Sequence, residues 1–343
     1  MKSERPTPDQ TITNNYSKTY WDPVGPNISS LDLEDISTRN EKLENQFNKI
    51  KSNPGAIKRN VFLWSLLGIV IFLLIEFLYF YTKQKSGDEL NTDAIVVPLI
   101  CAIVPVSIYL YSIKELQKDL LNLSVADRFN WLYDPDKNRP KWENLKKTYP
   151  EIFDLGNGNQ YIDNQFWGLF DDTKRNFWLG RFNYTVSQGK TSQTYQNLVY
   201  AYKLSKPVTT DFSLIPQTSF TKAETALSTK VITTESSEFN KLFHINYKGD
   251  RGLIGADILQ VLDPDTIVKL IDYNNGNKKI SMVFRGDVVL FSARGDIKTK
   301  YTKIRSGTFL DERDAALILE QIHSAIHITE EVLSSIDGFN RKL

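Results

Sequence analysis

Two apolar stretches of membrane-crossing length stand one after the other in the first third of the chain, and they limit what it can fold into more than any other feature. Residues 61–81 read VFLWSLLGIVIFLLIEFLYFY, and residues 94–113 read AIVVPLICAIVPVSIYLYSI. At about 1.5 Å of rise per helical residue, each can cross a hydrocarbon core about 30 Å thick. Between them they hold a single charged side chain, Glu76. The sequence therefore predicts a transmembrane hairpin in the lipid bilayer, closed by the outer loop 82–93, with the mostly polar residues 114–343 outside it.

Basic residues set the expected orientation. Lys49, Lys51, Lys58 and Arg59 precede the first stretch and Lys114, Lys118 and Arg128 follow the second, whereas the loop holds only Lys83 and Lys85. Cytoplasmic flanks carry the Lys/Arg excess, so a two-pass protein of the cell (inner) membrane with both termini cytoplasmic is expected. Trp64, Tyr79, Tyr81, Tyr109 and Tyr111 suit the aromatic belts at the two interfaces. No apolar run in the first sixty residues suits a signal peptide, so the first stretch is expected to insert as an uncleaved anchor.

Composition narrows the function classes. Forty-two Lys plus Arg balance 41 Asp plus Glu for a net charge of +1, which gives no reason to expect nucleic acid, whose binding surfaces are strongly basic. The one cysteine, Cys101, lies in the second stretch, so the chain can form no intrachain disulfide and no Cys-based metal cage.

Around the hairpin, residues 1–28 are rich in Pro, Asn, Thr and Ser and read as a disordered tail. In 29–53, Leu33, Ile36, Asn40, Leu43, Phe47 and Ile50 recur at alternating three and four spacings, as in a short coiled-coil seam. Ser30 or Asp32 can cap this amphipathic helix, and Pro54-Gly55 ends it. A second amphipathic helix is predicted over 114–133, where Leu116, Leu120, Leu123, Phe129 and Leu132 continue the periodicity of the second span. The two helices leave the same side of the membrane, either paired antiparallel as a stalk or as separate surface helices.

Residues 134–310 read as a soluble α+β domain built on an antiparallel sheet. Pro135, Pro140 and Pro150 mark an irregular entry, and GNGN at 156–159 a turn. Strand-like runs follow at 160–169, 177–186, 196–204 and 212–215, with turns at Asp171-Asp172 and 187–192. A short strand at 231–235, a helical turn at 238–243, a strand at 244–247 and a short helix at 255–262 come next. Asp263 caps a helix opening on Pro264, and strands 279–284 and 288–293 form a hairpin about Arg285-Gly286-Asp287. A C-terminal helix is expected within 311–343, with Ala315, Leu319, Ile322, Ile326, Val332, Leu333 and Ile336 on its buried stripe.

The segments FSLIP, ESSEFNKLFHINYKGD, ADILQVLDPDTIVKLID and ISMVFRGDVVLFSA, between Phe212 and Ala293, resemble the uncharacterised bacterial family DUF 3137. The shared elements fall on Glu235, Phe239 and Phe243, and on Leu262, Asp263 and Pro264. The resemblance implies a helix, two close spans, another helix and a soluble domain, and it implies no active site. Taken as residues, Phe239 and Phe243 are four apart on one helical face, which is a packing pattern.

Candidate chemistry is sparse. His323 and His327 are four apart on the predicted terminal helix with Glu320 and Glu331 nearby, a spacing that could supply two metal ligands or simply a solvated flank. Glu76 is the costlier oddity, since a carboxylate at mid-bilayer costs about 2.5–3.5 kcal/mol. It either reaches headgroup water or is protonated, or else makes a contact between helices that organises oligomers or an ion path. The basic stretch 298–305 could meet anionic lipid or be an ordinary exposed loop. No GxSxG, P-loop, GxGxxG or Cys-His pair is present, and no cofactor is implied. The expectation is a non-enzymatic anchor or scaffold whose cytoplasmic domain binds a protein partner or the membrane surface. The alternatives are a membrane-tethered enzyme with a dispersed acidic and His site, or a small oligomeric channel or transport subunit using Glu76.

Overall fold

The computed structural model describes residues 20–23, 28–53, 56–86, 93–137, 139–169, 176–204, 207–217, 232–247, 258–259, 261–275 and 280–294. The expected turn at Asp171-Asp172, most of the 255–262 helix, the 298–305 segment and the C-terminal helix with His323 and His327 lie outside them. The described chain is α+β, with seven helices and an eight-stranded antiparallel sheet. It divides into two units, which gather residues 20–39 with 124–294, and residues 40–123.

Three long helices open the chain: α1 (Ser30–Ser52), α2 (Ala56–Ser86) and α3 (Asp93–Phe129). The cap of α1 is Ser29 rather than Ser30 or Asp32. Its hydroxyl accepts from the Asp32 N–H at 3.1 Å and donates to the Asp32 carboxylate at 2.6 Å, so the two side chains close the first turn between them. Along α1, Ile36 is buried and Leu33, Asn40, Leu43 and Phe47 are half-buried, whereas Glu34, Asp35, Glu41, Lys42 and Glu44 are exposed.

Within α2, Arg59–Thr82 is long and apolar enough to cross a membrane, with a mean hydropathy of 2.6 and only 6% of its most apolar window buried. Phe62, Leu66, Leu73, Phe77 and Phe80 face outward. α3 continues unbroken through Pro98, Pro105 and the end of the second apolar stretch. Trp64 of α2 stacks on Tyr109 of α3 with centroids 6.3 Å apart, which sets the first third of α2 beside the middle of α3.

The helix expected to reach residue 133 stops at Phe129. Asn130 takes a left-handed φ of 57°, its N–H bonds to the Asp127 carbonyl, and the Trp131 N–H bonds to the Ala126 carbonyl at 2.8 Å. These bonds make a Schellman cap, with asparagine in the place that glycine usually takes. Leu132, placed on the helical stripe by its spacing, instead begins β1 (Leu132–Asp134).

Of the three prolines read as an irregular entry, Pro135 does follow β1 in irregular structure, but Pro140 and Pro150 lie in the first turns of two short helices, α4 (Arg139–Thr148) and α5 (Pro150–Phe153), because proline suits a first helical turn whose N–H groups have no partner. The sheet continues with β2 (Gln160–Leu169), β3 (Asn176–Gln188), β4 (Thr191–Lys203) and β5 (Phe212–Pro216). Then come α6 (Ser237–Leu242), β6 (Phe243–Tyr247), α7 (Pro264–Asn275), β7 (Ile280–Arg285) and β8 (Val288–Arg294). Strand order is β1-β2-β3-β4-β8-β7-β5-β6. Residues 232–235, expected as part of a short strand, are not in the sheet; Thr234 is instead tied to Asn240 by three hydrogen bonds.

Local chemistry fixes the joints. Gly189 and Gly286, at φ of 60° and 57°, permit two-residue hairpin turns between Gln188 and Thr191 and between Arg285 and Val288. The Asp263 carboxylate accepts from the Thr266 N–H at 2.7 Å and caps α7, as expected. A bulge in β2 holds Asn164 at φ 48°, where its side chain accepts from the Tyr133 hydroxyl at 2.7 Å.

Alternation puts Trp167 of β2, Trp178 and Phe182 of β3, Val199 and Ala201 of β4, Val283 of β7 and Leu290 of β8 on one face. They pack with Leu145 and Tyr149 of the α4 region and Ile152 and Phe153 of α5 into one core. Tyr20 and Trp21 belong to that core, so the tail expected over 1–28 ends in a docked segment. Two aromatic rings outweigh the polar composition around them, since each ring can bury about 150–250 Å².

Candidate functional site

Two groups of charged side chains lie on this helix-covered face. The first surrounds Arg285, the last residue of β7. Its guanidinium donates to the Glu151 carboxylate of α5 at 3.1 Å, lies 3.7 Å from the Asp211 carboxylate, and sits over the Tyr149 ring at 5.3 Å from the centroid. Asp211 also accepts from the Gly286 N–H at 2.9 Å, so the hairpin that ends β7 fixes both Arg285 and its partner. Phe212, Ser213, Asn246 and Tyr247 complete a small cleft that opens to solvent. One guanidinium faces two carboxylates there, and Glu151 Oε2 and the Tyr247 hydroxyl are buried without a hydrogen-bond partner. Burial pushes the Tyr149 phenol up to about 12, with the Arg285 charge pulling the other way.

The second group centres on Lys141 of α4. Its ammonium lies over the Trp167 and Trp178 rings, 5.1 and 5.4 Å from their centroids, and pairs with Asp22 of the docked N-terminal segment. Burial holds its pKa below the ordinary lysine value against the opposing pull of Asp22. Next to it in the electrostatic network, Asp134 of β1 accepts a two-pronged pair of 3.0 Å bonds from Arg39 of α1. Burial nevertheless raises the Asp134 carboxyl, outweighing the Asp136 N–H and Arg39. The Tyr149 hydroxyl donates to the Pro23 carbonyl at 3.1 Å, which ties the same segment down at its other end.

On the opposite face, Arg181 and Asp163 form a two-pronged pair at 2.7 and 2.6 Å, and Asn183 donates to the same carboxylate at 3.0 Å. With its donors and acceptors matched, this network holds β2 to β3.

Of the residues singled out from sequence, Glu76 lies on α2, half-buried, with Oε1 buried and unpartnered. Phe239 and Phe243 pack as a pair with centroids 4.9 Å apart, as expected of core aromatics, although Phe243 begins β6 and does not share a helical face with Phe239, because α6 ends at Leu242. No group of three or more His, Cys, Asp or Glu able to hold a metal occurs among the described residues. Sequence reasoning passed over Lys141, Asp22, Glu151 and Arg285. The usable signal was the Tyr20-Trp21 pair, two large rings in an otherwise polar stretch.

No protein-family model matches the chain, and no curated protein is similar to it at a significant level. Among solved structures, the crystal structure of the mycobacterial trehalose monomycolate transport factor A is similar at 7% identity, over 64% of this chain and 95% of that one. The TM-score is 0.33, too low to equate the two folds.

Proposed function

We propose that the chain is a two-pass protein of the cell (inner) membrane, with both termini in the cytoplasm, whose α+β domain serves as a non-enzymatic scaffold for a protein partner. The observation that carries this reading is α2, an apolar helix whose Phe62, Leu66, Leu73 and Phe77 face outward, an arrangement that suits lipid and is costly in water. The second apolar stretch lies in α3, with Trp64 and Tyr109 in contact, as a returning span would place them. The Lys/Arg excess on both cytoplasmic flanks supports the orientation. The layout is also the one that the resemblance to DUF 3137 implies.

A binding role is favoured over catalysis by how the charged side chains are used. Arg181, Arg39 and Lys141 are each committed to a carboxylate in a structural pair, and the Arg285 cleft presents carboxylates already held by a guanidinium. The test is accessibility in intact cells, with a tag at each terminus and one near Glu89. The loop tag is expected to be labelled from outside and both termini protected; a protected loop with labelled termini overturns the topology.

A second reading rests on Glu76. Its buried, unpartnered carboxylate oxygen favours a hairpin that oligomerises and uses Glu76 between helices. Glu76→Gln should then change the oligomeric state in mild detergent or the conductance of reconstituted protein, and no change in either overturns it.

A further inference from the structure

We propose that the groove over Trp167, Trp178 and Lys141 is a docking site for an aromatic–acidic peptide segment of a partner protein, which the chain's own residues 20–23 occupy as a displaceable stand-in. The proposal rests on the partner-binding reading above and names the surface and the chemistry that would serve it.

Residues 20–23 make the contacts of a bound peptide. They join the core from far along the chain, with Asp22 and Lys141 119 positions apart and Pro23 and Tyr149 126 apart. Tyr20 and Trp21 insert their rings into the core, Asp22 meets the buried ammonium, and the Pro23 carbonyl accepts from Tyr149. The Ile28 N–H bonds to the Tyr20 carbonyl at 2.8 Å, which ties the segment to the residues just before α1.

The receiving surface is built without them. Lys141 and Leu145 come from α4, Trp167 from β2 and Trp178 from β3, and these strands are paired with each other and with their neighbours. Take residues 20–23 away and what is left is an aromatic-lined groove with an ammonium in its floor and the Tyr149 hydroxyl at its rim. Such a surface selects a carboxylate and an aromatic ring, which is the chemistry of Trp21-Asp22. It disfavours a basic or purely aliphatic segment.

The present occupant also fits imperfectly. The Tyr20 hydroxyl is buried with no partner, and so are the indole N–H groups of Trp142 and Trp167, both of which belong to this cluster. An occupant with phenylalanine in place of Tyr20 would avoid the unpaired hydroxyl and bind more tightly.

The experiment uses the full chain in detergent micelles and a fluorescein-labelled peptide of residues 16–26, read by anisotropy. A variant lacking residues 1–23 is expected to bind the peptide, and the intact protein at least ten-fold more weakly. Trp21→Ala or Asp22→Asn in the peptide should weaken binding to the variant ten-fold or more, and Tyr20→Phe should tighten it severalfold. A full-length Trp21→Ala/Asp22→Asn protein, which keeps the backbone, is expected to bind the wild-type peptide as the truncated one does. Absence of binding by both opened variants, equal binding by intact and opened protein, or indifference to Asp22→Asn each overturns the proposal. So does failure of both opened variants to fold, which would make residues 20–23 an integral part of the core. Peptide binding and loop labelling are independent: failure of the first with correct labelling rejects the docking site alone, and the reverse rejects the topology alone.

Discussion

Asp22→Ala should open the N-terminal segment far more than Lys141→Met does, although both delete the same ion pair. Lys141 is enclosed by two indoles, with its side chain only 9% exposed, so it cannot reach water while residues 20–23 stay docked. Removing one partner of a buried pair costs about 3–5 kcal/mol, because the remaining charge is left without compensation. The full amount cannot appear, since detachment of the segment would rehydrate the ammonium. Burying the Tyr20 and Trp21 rings removes roughly 300–400 Å² from water, about 8–10 kcal/mol at ~25 cal/mol per Å². Ordering four residues and their side chains opposes this by about 6–9 kcal/mol. The rings alone therefore hold the segment by about 2 kcal/mol, and a buried ammonium that has lost its direct partner Asp22 and keeps only the pull of Asp134 and Asp32 is enough to release it. Lys141→Met instead leaves Asp22, 15% exposed, near enough to solvent to rehydrate, and supplies an apolar chain to the two indoles, so its expected cost is under about 1 kcal/mol. Amide hydrogen exchange of residues 20–28 reads the difference. A loss of about 2 kcal/mol in opening free energy corresponds to roughly 30-fold faster exchange. Asp22→Ala should show that acceleration, Lys141→Met should show little, and adding Lys141→Met to Asp22→Ala should restore most of the protection. Equal acceleration in both single variants, or none in Asp22→Ala, refutes the reasoning.

Other perturbations address the parts around this segment. Gly168→Ala would set a Cβ 2.4 Å from the Trp131 ring and 2.7 Å from the Phe177 ring, so a loss of about 1–3 kcal/mol or more is expected in denaturant unfolding of the domain. Tyr149 gives a signed pH effect. Its phenol is raised from 10.0 to about 12, so the stability it contributes is complete below pH 10 and is lost as the pH rises through 12, at about 1.4 kcal/mol per unit. Tyr149→Phe should be less stable than the wild type near pH 9, where the bond to Pro23 is missed, and the gap should close or reverse near pH 12. Arg285→Met leaves Glu151, 17% exposed, without its guanidinium, and should lower the thermal midpoint by a loss of about 2–3 kcal/mol, with Arg285→Lys restoring only part of it.

What was legible in the sequence is what short-range chemistry decides. The bounds of β2, the Asp263 cap and the turn at Gly286 depend on alternation, a side-chain oxygen three residues from its N–H, and a glycine at positive φ, all visible within a few residues. The end of α3 was misplaced because Leu132 satisfies helical and strand spacing equally over so short a run. Asn130 decided it, and asparagine at a helix end announces itself less plainly than glycine. Lys141 offered no signal at all. It sits among Arg139, Pro140 and Glu143 like any surface lysine, and its burial is imposed by Trp167 and Trp178, which join it only when β2 pairs with β3. The same non-local cause governs residues 20–23, yet there the sequence carried a usable clue. A segment that cannot bury apolar surface has no stabilising use for adjacent Tyr and Trp, which would expose two large rings to water. An isolated aromatic pair followed by an acid in a polar tail is therefore better read as a ligand than as a linker, and the groove that receives it is to be sought around a lysine flanked by aromatic strands.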